Sequence, residues 1–496
     1  MRQAATDGIV LVDRERAGEC VAQMNSRILS CTTVVLSVLT ALPGAQAPIS
    51  SNERVFPSDG DIREILRQRV DAQGKGIGMV VGVIEPAGAR VVSYGQSGEG
   101  DQRPPDGDTA FEIGSMTKVF TALVLAEMVR RGEVALEDPI AKYLPDGVRI
   151  PARNGQPITL LDVATHTSGL PLMPDGLVSL SELVTLKYSD AQLYAFLARY
   201  ELPRQTGTTW DYSNIGYSLL GKALAARAAV DYETLLRTRV SVPLELTNTG
   251  VTFQRLKGRL AVGHDGSLQP TLPLSTVPIM SVMMPAGAVL STANDLLSLL
   301  AVAMGYDRSP LAPAMAAMLN TRRPSPGGEQ ALGWMVEGTS DDQLVVHDGG
   351  TFGFASSMVW DPKKRAGVVV LSNHVAAVGD VARHLLRPSR PLAKPTATKR
   401  IEITLDSAIL DSYAGRYTAA AEAFVVTKEG DFLTILLPAD WGLPKLRLRP
   451  ERRRDFFTAE LPLRVTFQTN DDGQVSGLVI HPPRGQKAIP AKRAER

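Results

Sequence analysis

Two hydrophobic periods alternate along this chain. Ile77 to Gly95 (IGMVVGVIEPAGARVVSYG) is an apolar run, a Pro-Ala-Gly turn and a second β-rich run, which predicts two strands around a tight turn. From Gly114-Ser115 the period changes. Val119, Phe120, Leu123, Val124 and Met128 recur at helical spacing, and Arg130, Arg131 and Gly132 provide a cationic last turn and a glycine stop. Ser189 and Gln192 form a capping box ahead of an amphipathic helix, DAQLYAFLARY. The stretch VPIMSVMMPAGAVLSTANDLLSLLAVAM predicts a loop followed by a helix capped near Ser291. LVVHDGGTFGFASSMVWDPKKRAGVVVLSNH predicts short strands at the edge of an antiparallel sheet.

The pattern breaks at 387–400 (RPSRPLAKPTATKR), where three prolines and several cations with little apolar content mark a linker. Beyond it, FVVTKEGDFLTILLP and LRVTFQTNDDGQVSGLVIHP each read as a hairpin, the second turning at Asn470 to Gly473. Residues 401–496 are therefore expected to form a small β-barrel or sandwich. Residues 55–386 would form the main domain.

The N-terminal region adds a different signal. From Met24, Arg27 gives a short positive region, Ile28 to Leu42 an apolar stretch, and Ala45-Gln46-Ala47 a cleavage site. The apolar stretch is shorter than the roughly 20 residues of a spanning helix. Residues 24–47 are expected to be a signal peptide, residues 1–23 a possible mis-called extension, and the mature protein periplasmic or secreted. Cys20 and Cys31 are the only cysteines, so a mature chain would carry no thiol nucleophile, disulfide or cysteine metal site. Composition bounds the rest: 44% apolar and 21% charged residues suffice for a large core, and 53 Lys+Arg against 52 Asp+Glu give no basic footprint for nucleic acid or membranes. Six scattered histidines show no metal-ligand spacing. No metal or cofactor is expected, and no membrane span.

Three stretches carry candidate chemistry. Ser115 and Lys118 share the first turn of an apolar helix, so hydroxyl and amine can meet. Desolvation there favours a neutral amine, which a general base needs, and the helix start offers an N–H to an oxyanion. The bland alternative is a surface serine near a helical lysine. In WDYSNIGYSLL, Tyr212 could move a proton and Asn214 could orient an amide; the alternative is a cap at Ser213 or Asn214 with Tyr212 packed on the core. In HDGGTFGFAS, glycines at 349, 350 and 353 let a strand approach a ligand. His347 offers a donor, and the Gly350 N–H could complete an oxyanion hole with that of Ser115. The alternative is a solvent-facing histidine.

In this order, Phe111–Lys118, Tyr212–Asn214 and His347–Gly349 resemble the three motifs of the serine β-lactamase and penicillin-binding-protein superfamily, in its class C β-lactamase branch. HTSGLP (166–171), PAGAVLSTANDL (285–296) and GVVVLSN (367–373) extend the resemblance to roughly residues 75–375. It implies an α/β (α+β) β-lactamase/transpeptidase-like fold: an antiparallel sheet flanked by helices, plus a helical subdomain. It also implies Ser115 as the acylated nucleophile, with Lys118 and Tyr212 sharing the proton work. Asn214 would hold Lys118 and the substrate amide, Ser115 and Gly350 would form the oxyanion hole, and His347 with Gly349 would line the substrate site from the sheet edge. Residues His166, His264 and His374 are read as structural.

The dedicated class C enzymes usually carry Lys-Thr-Gly where this chain has His347-Asp348-Gly349. An ordinary histidine is mostly neutral above about pH 6.5, and Asp348 adds negative charge nearby. The local text FEIGSMTKVFTALVLAEMVRRGEVALEDPIAKYLP is most similar to AmpH-type DD-carboxypeptidase/endopeptidases. The expected activity is therefore a D-Ala-D-Ala carboxypeptidase/endopeptidase acting on peptidoglycan-derived peptides. The alternatives are a β-lactamase or carboxylesterase with the same residues, or a catalytically silent sensor or scaffold. The C-terminal module (LDSYAGRYTAAAEAFVVTKEG) resembles the lipocalin-like barrels appended to such hydrolases; it is expected to cover or orient, or to be a bystander.

Overall fold

The computed structural model describes residues 54–494, apart from 74–76, 99–102, 175–187, 253, 255–258, 267, 269, 275–279, 340, 394–401, 420–421, 438–444, 459–462 and 482–487. The expected signal peptide, the 1–23 extension, both cysteines and the second half of the expected linker lie outside the described residues.

Strands β1 (Gly78–Glu85) and β2 (Gly88–Gly95) form the hairpin expected from the sequence, turning at Pro86-Ala87. Next come β3 (Thr109–Glu112), β4 (Arg259–Leu260) and β5 (Leu290–Ser291), a small separate sheet in the order β4-β3-β5. The remaining strands of this part are β6 (Arg322–Ser325), β7 (Gly328–Ala331), β8 (Met335–Glu337), β9 (Leu344–Gly350), β10 (Ala355–Asp361) and β11 (Ala366–Ser372). Together with β1 and β2 they form one antiparallel sheet in the order β2-β1-β11-β10-β9-β8-β7-β6. His347 therefore sits on an internal strand, not an edge strand as the short strands suggested, but β8 pairs only with Leu344–Val346, and the His347–Gly350 end of β9 is paired with β10 alone.

Both faces of this sheet are buried, which explains why β1 reads as a continuous apolar run. Val80 and Ile84 point to the larger core, shared with the Thr117–Arg130 and Ala293–Ala303 helices. Met79, Val81 and Val83 point the other way, to a core shared with the Asp59–Gln73 and Gly379–Leu386 helices. At Gly82 an added Cβ would lie 2.9 Å from Leu297 Cδ1, so the absent side chain lets the Ala293–Ala303 helix rest on β1.

Two local expectations change. The stretch expected to be a loop before Ser291 contains a helix, Met280–Gly287, with Pro285 inside it, and the following helix is capped by Thr292, whose Oγ1 accepts from Asp295 N at 3.2 Å. Apolar Val282, Met283 and Met284 drive that helix into the core, which outweighs the proline. The Thr117–Arg130 helix is buried from Thr117 to Met128, not along one stripe, so its polar residues must find partners inside the protein. The capping box is present as read: Ser189 Oγ accepts from Gln192 N and Gln192 Oε1 from Ser189 N.

The C-terminal part is a closed antiparallel barrel of eight strands: β12 (Gly415–Ala419), β13 (Glu422–Glu429), β14 (Phe432–Leu436), β15 (Leu446–Pro450), β16 (Asp455–Thr458), β17 (Arg464–Thr469), β18 (Val475–His481) and β19 (Ile489–Arg493). Each pairs with the next, and β19 closes on β12 through Tyr417–Arg493 and Thr418–Lys492. The second hairpin turns as expected, with Gly473 N donating to Asn470 O at 3.0 Å. Large side chains fill the interior. Phe467 stacks on Tyr413 at 4.2 Å and meets Phe456 edge-on at 5.3 Å. No helix among the described residues is long and apolar enough to cross a membrane.

Truncating Phe467 to Ala should cost about 3–5 kcal/mol, because it removes the ring on which two other aromatics pack. Denaturant unfolding of the full chain, followed by circular dichroism, measures it; a loss under about 1 kcal/mol would contradict this packing account.

Candidate active site

Ser115 sits in a single 3-10 turn, Gly114–Met116, between β3 and the Thr117–Arg130 helix. Gly114 has φ +51°, and a Cβ there would lie 2.6 Å from Gly350 N, so both conformation and space demand glycine. At Gly349 a Cβ would strike Ile113 O at 2.0 Å. The glycines of HDGG thus let β9 lie directly against the backbone that carries Ser115. The turn is clamped further: Ile113 N donates to Val289 O at 3.0 Å, and Ser356 Oγ to Ile113 O at 2.9 Å.

Lys118 is completely buried. Its Nζ lies 3.1 Å from Ser115 Oγ and 2.7 Å from Ala286 O, with the Tyr212 ring centroid at 4.8 Å. The carbonyl partner comes from the end of the Met280–Gly287 helix, whose last-turn carbonyls have no partner within the helix. Ala286 O goes to Lys118, and Pro285 O accepts from Thr121 Oγ1 at 2.7 Å. Burial drives the Lys118 amine well below its usual value of 10.5. A neutral amine can donate to Ala286 O and accept from the Ser115 hydroxyl, which satisfies both contacts.

Tyr212 reaches the same serine. Its hydroxyl is hydrogen-bonded to the Ser115 side chain, and burial pushes the phenol up to about 12. Two groups hold it in place. The His166 ring lies 4.3 Å from the Tyr212 ring, tilted by 30°, while His166 Nδ1 accepts from Ser213 N at 3.1 Å. Ser213 caps the Asn214–Ala228 helix, its Oγ accepting from Gly216 N at 2.9 Å. The capping reading and the proton-moving reading of this stretch are therefore compatible. His166, with φ +57° and its carbonyl accepting from Asp211 N at 2.7 Å, brackets the whole 211–213 segment. Sequence reasoning assigned it no part in the site, and its only signal was its place in HTSGLP.

Asn214 lies beside this group, but its Nδ2 is directed to Met173 Sδ at 3.8 Å. Lys118 Nζ is hydrogen-bonded to Ser115 Oγ and Ala286 O, not to Asn214.

His347 is buried, not solvent-facing. Its Nδ1 is 2.6 Å from Gly333 O, and the ring also hydrogen-bonds the Ser115 backbone. Gly333 in turn lies on the Lys118 helix, where a Cβ would be 2.7 Å from Ala122 Cβ. Burial lowers the imidazole to about 4, so it is neutral at pH 7. Asp348 points to the other face of β9, as strand alternation requires. Its carboxylate is held by Ser357 Oγ at 2.6 Å and Arg383 Nη2 at 3.0 Å.

Chemically, a hydroxyl lies within hydrogen-bond reach of a buried amine, whose neutral form burial favours, and of a phenol, beside two backbone segments brought together by glycines. Such a site can pass a proton away from the hydroxyl without creating an isolated buried charge. That is the requirement for acyl transfer to a serine. The chain belongs to the Beta-lactamase family, whose profile matches residues 62–387. It is a serine hydrolase of the penicillin-binding-protein and class C β-lactamase type. Among its relatives, the D-alanyl-D-alanine-carboxypeptidase/endopeptidase AmpH of Escherichia coli (strain K12) is 28% identical over 364 residues, covering 70% of this chain and 91% of that protein. Penicillin-binding protein 4* of Bacillus subtilis (strain 168) is 25% identical over 429 residues, covering 81% and 92%. In fold, the octameric penicillin-binding protein homologue from Pyrococcus abyssi matches with a TM-score of 0.58 at 20% identity, over 88% of this chain and 100% of that one.

The burial of Lys118 predicts a pH signature in stability. Its folded value lies below 10.5, so on lowering the pH from 11 the unfolded chain takes up the proton first and the wild type loses stability until the folded value is reached. Lys118→Met removes this dependence. The unfolding free energy of the variant relative to wild type, measured by denaturant titration at each pH, should therefore rise as pH falls from 11 to 8, by about 1.4 kcal/mol for each pKa unit between the unfolded and folded values. A pH-independent difference between the two proteins would show that Lys118 is not depressed.

Proposed function

We propose that this protein is a D-Ala-D-Ala carboxypeptidase/endopeptidase acting on peptidoglycan-derived peptides through a Ser115 acyl-enzyme. The observation that carries the chemistry is the placement of Ser115 Oγ between Lys118 Nζ, at 3.1 Å, and the Tyr212 hydroxyl. The peptidase reading is supported by the similarity to AmpH. In this reading Lys118 takes the Ser115 proton as Oγ attacks the acyl carbonyl. The oxyanion falls to the N–H groups of Ser115 and Gly350, and Tyr212 delivers a proton to the leaving amine. Asn214 holds the peptide amide, which requires its side chain to leave Met173 when substrate arrives. His347 and Gly349 form the wall beneath the acyl group.

The reading includes export, with residues 24–47 removed, and a hydrolase domain at 55–386 joined through 387–400 to the barrel at 401–496. A β-lactamase would use the same residues and differ in how quickly water releases the acyl group.

The test follows mature protein from Pro48 with a fluorescent penicillin and a peptide ending in D-Ala-D-Ala, beside Ser115→Ala. The wild type should form a long-lived adduct and release D-Ala. Ser115→Ala should do neither, with a melting temperature within about 2 °C. Turnover that persists in Ser115→Ala rejects the nucleophile assignment. Rapid antibiotic loss without a lasting adduct identifies a β-lactamase instead.

A further inference from the structure

Glu112 is a buried carboxyl that the acyl-transfer steps do not use. It ends β3, three residues before Ser115, and only 5% of its surface is exposed. Its backbone pairs with Leu290 of β5. Its side chain turns away from that sheet. Oε1 accepts from Leu274 N at 2.6 Å, and the carboxyl also takes the Thr351 hydroxyl.

Thr351 directly follows Gly350. Its Oγ1 accepts from Gly353 N at 3.3 Å, and its N–H donates to Phe354 O at 2.9 Å, closing the turn that ends β9. Phe354 packs edge-on against Phe111, the neighbour of Glu112, at 6.1 Å. One carboxyl therefore bridges the strand that delivers Ser115 and the turn that fixes Gly350.

We propose that Glu112 is a positioning residue for acyl transfer: through Thr351 it sets the spacing between the Ser115 and Gly350 N–H groups that receive the oxyanion. This inference rests on the acyl-enzyme reading above. Two facts argue that the carboxyl is more than filler. Burial pushes it up to about 7, opposed only by its bonds to Leu274 and Thr351, so an apolar residue would avoid the cost of burying an ionisable group. It is also a side chain that ties together two backbone segments whose mutual position matters to the chemistry. Oxyanion donors work when they are preorganised, and a donor displaced by a fraction of an ångström loses much of its effect.

The test uses the mature chain and the pre-steady-state burst of p-nitrophenol from p-nitrophenyl acetate. Glu112→Leu and Thr351→Val should each lower the acylation rate on the order of 10-fold, with KM changed less than about twofold. The double variant should be no slower than the slower single, because both cut the same bond. Glu112→Gln, which can still bridge Leu274 and Thr351, should restore most of the rate lost in Glu112→Leu. A residue that only packs would change stability and leave this pattern absent. Thr351→Val acylating at the wild-type rate, beside a wild type whose burst requires Ser115, overturns this inference and leaves the acyl-enzyme reading standing. A wild type with no Ser115-dependent burst overturns both.

Discussion

The burial of one amine organises this site. Lys118 has no contact with solvent, and a charged ammonium there would be costly to desolvate. Among the described residues its hydrogen-bond partners are the carbonyl of Ala286 and the hydroxyl of Ser115, and the rings of Tyr212 and Tyr217 lie 4.8 and 5.7 Å away. No carboxylate contributes to its shift; burial alone is responsible. Burial in that setting favours the neutral amine, whose lone pair is what the proposed base requires. The helix that supplies Ala286 O is short and contains Pro285. Its free C-terminal carbonyls are what the buried polar residues of the Thr117–Arg130 helix, Lys118 and Thr121, require.

The other parts of the site are held by backbone approach more than by side-chain pairs. Gly114, Gly349 and Gly333 each sit where a Cβ would collide with a neighbouring chain segment. They allow β9, the Ser115 turn and the loop before β8 to pack at backbone distance. His347 then spans two of these segments, with Gly333 O on one side and the Ser115 backbone on the other. Its neutral ring is a strut between them. His166 plays the equivalent part for Tyr212, stacking on the phenol and accepting from Ser213 N.

Much of this was legible in the sequence, for physical reasons that differ by element. The β1–β2 hairpin and the Ser189–Gln192 cap were readable because local turn and capping chemistry determine them. Ser115 and Lys118 were readable because helix geometry places residues three apart on one face. The Met280–Gly287 helix lies where a loop is expected: Pro285 disfavours a helix locally, and the burial that overrides it is tertiary. The placement of His347 on an internal strand could not be read, since strand order in a sheet is set by long-range pairing. The roles of His166, Gly333 and Glu112 depend on contacts with segments distant in the chain, and no local spacing announces them.

The most direct test of this account is the ionisation of Lys118 itself. In protein labelled with 13C at lysine Cε, the Lys118 resonance, assigned by its absence in Lys118→Met, should titrate well below the usual 10.5 while surface lysines titrate near it. A Lys118 resonance that titrates with the surface lysines would mean a charged amine beside Ser115, and a base of this kind would not exist.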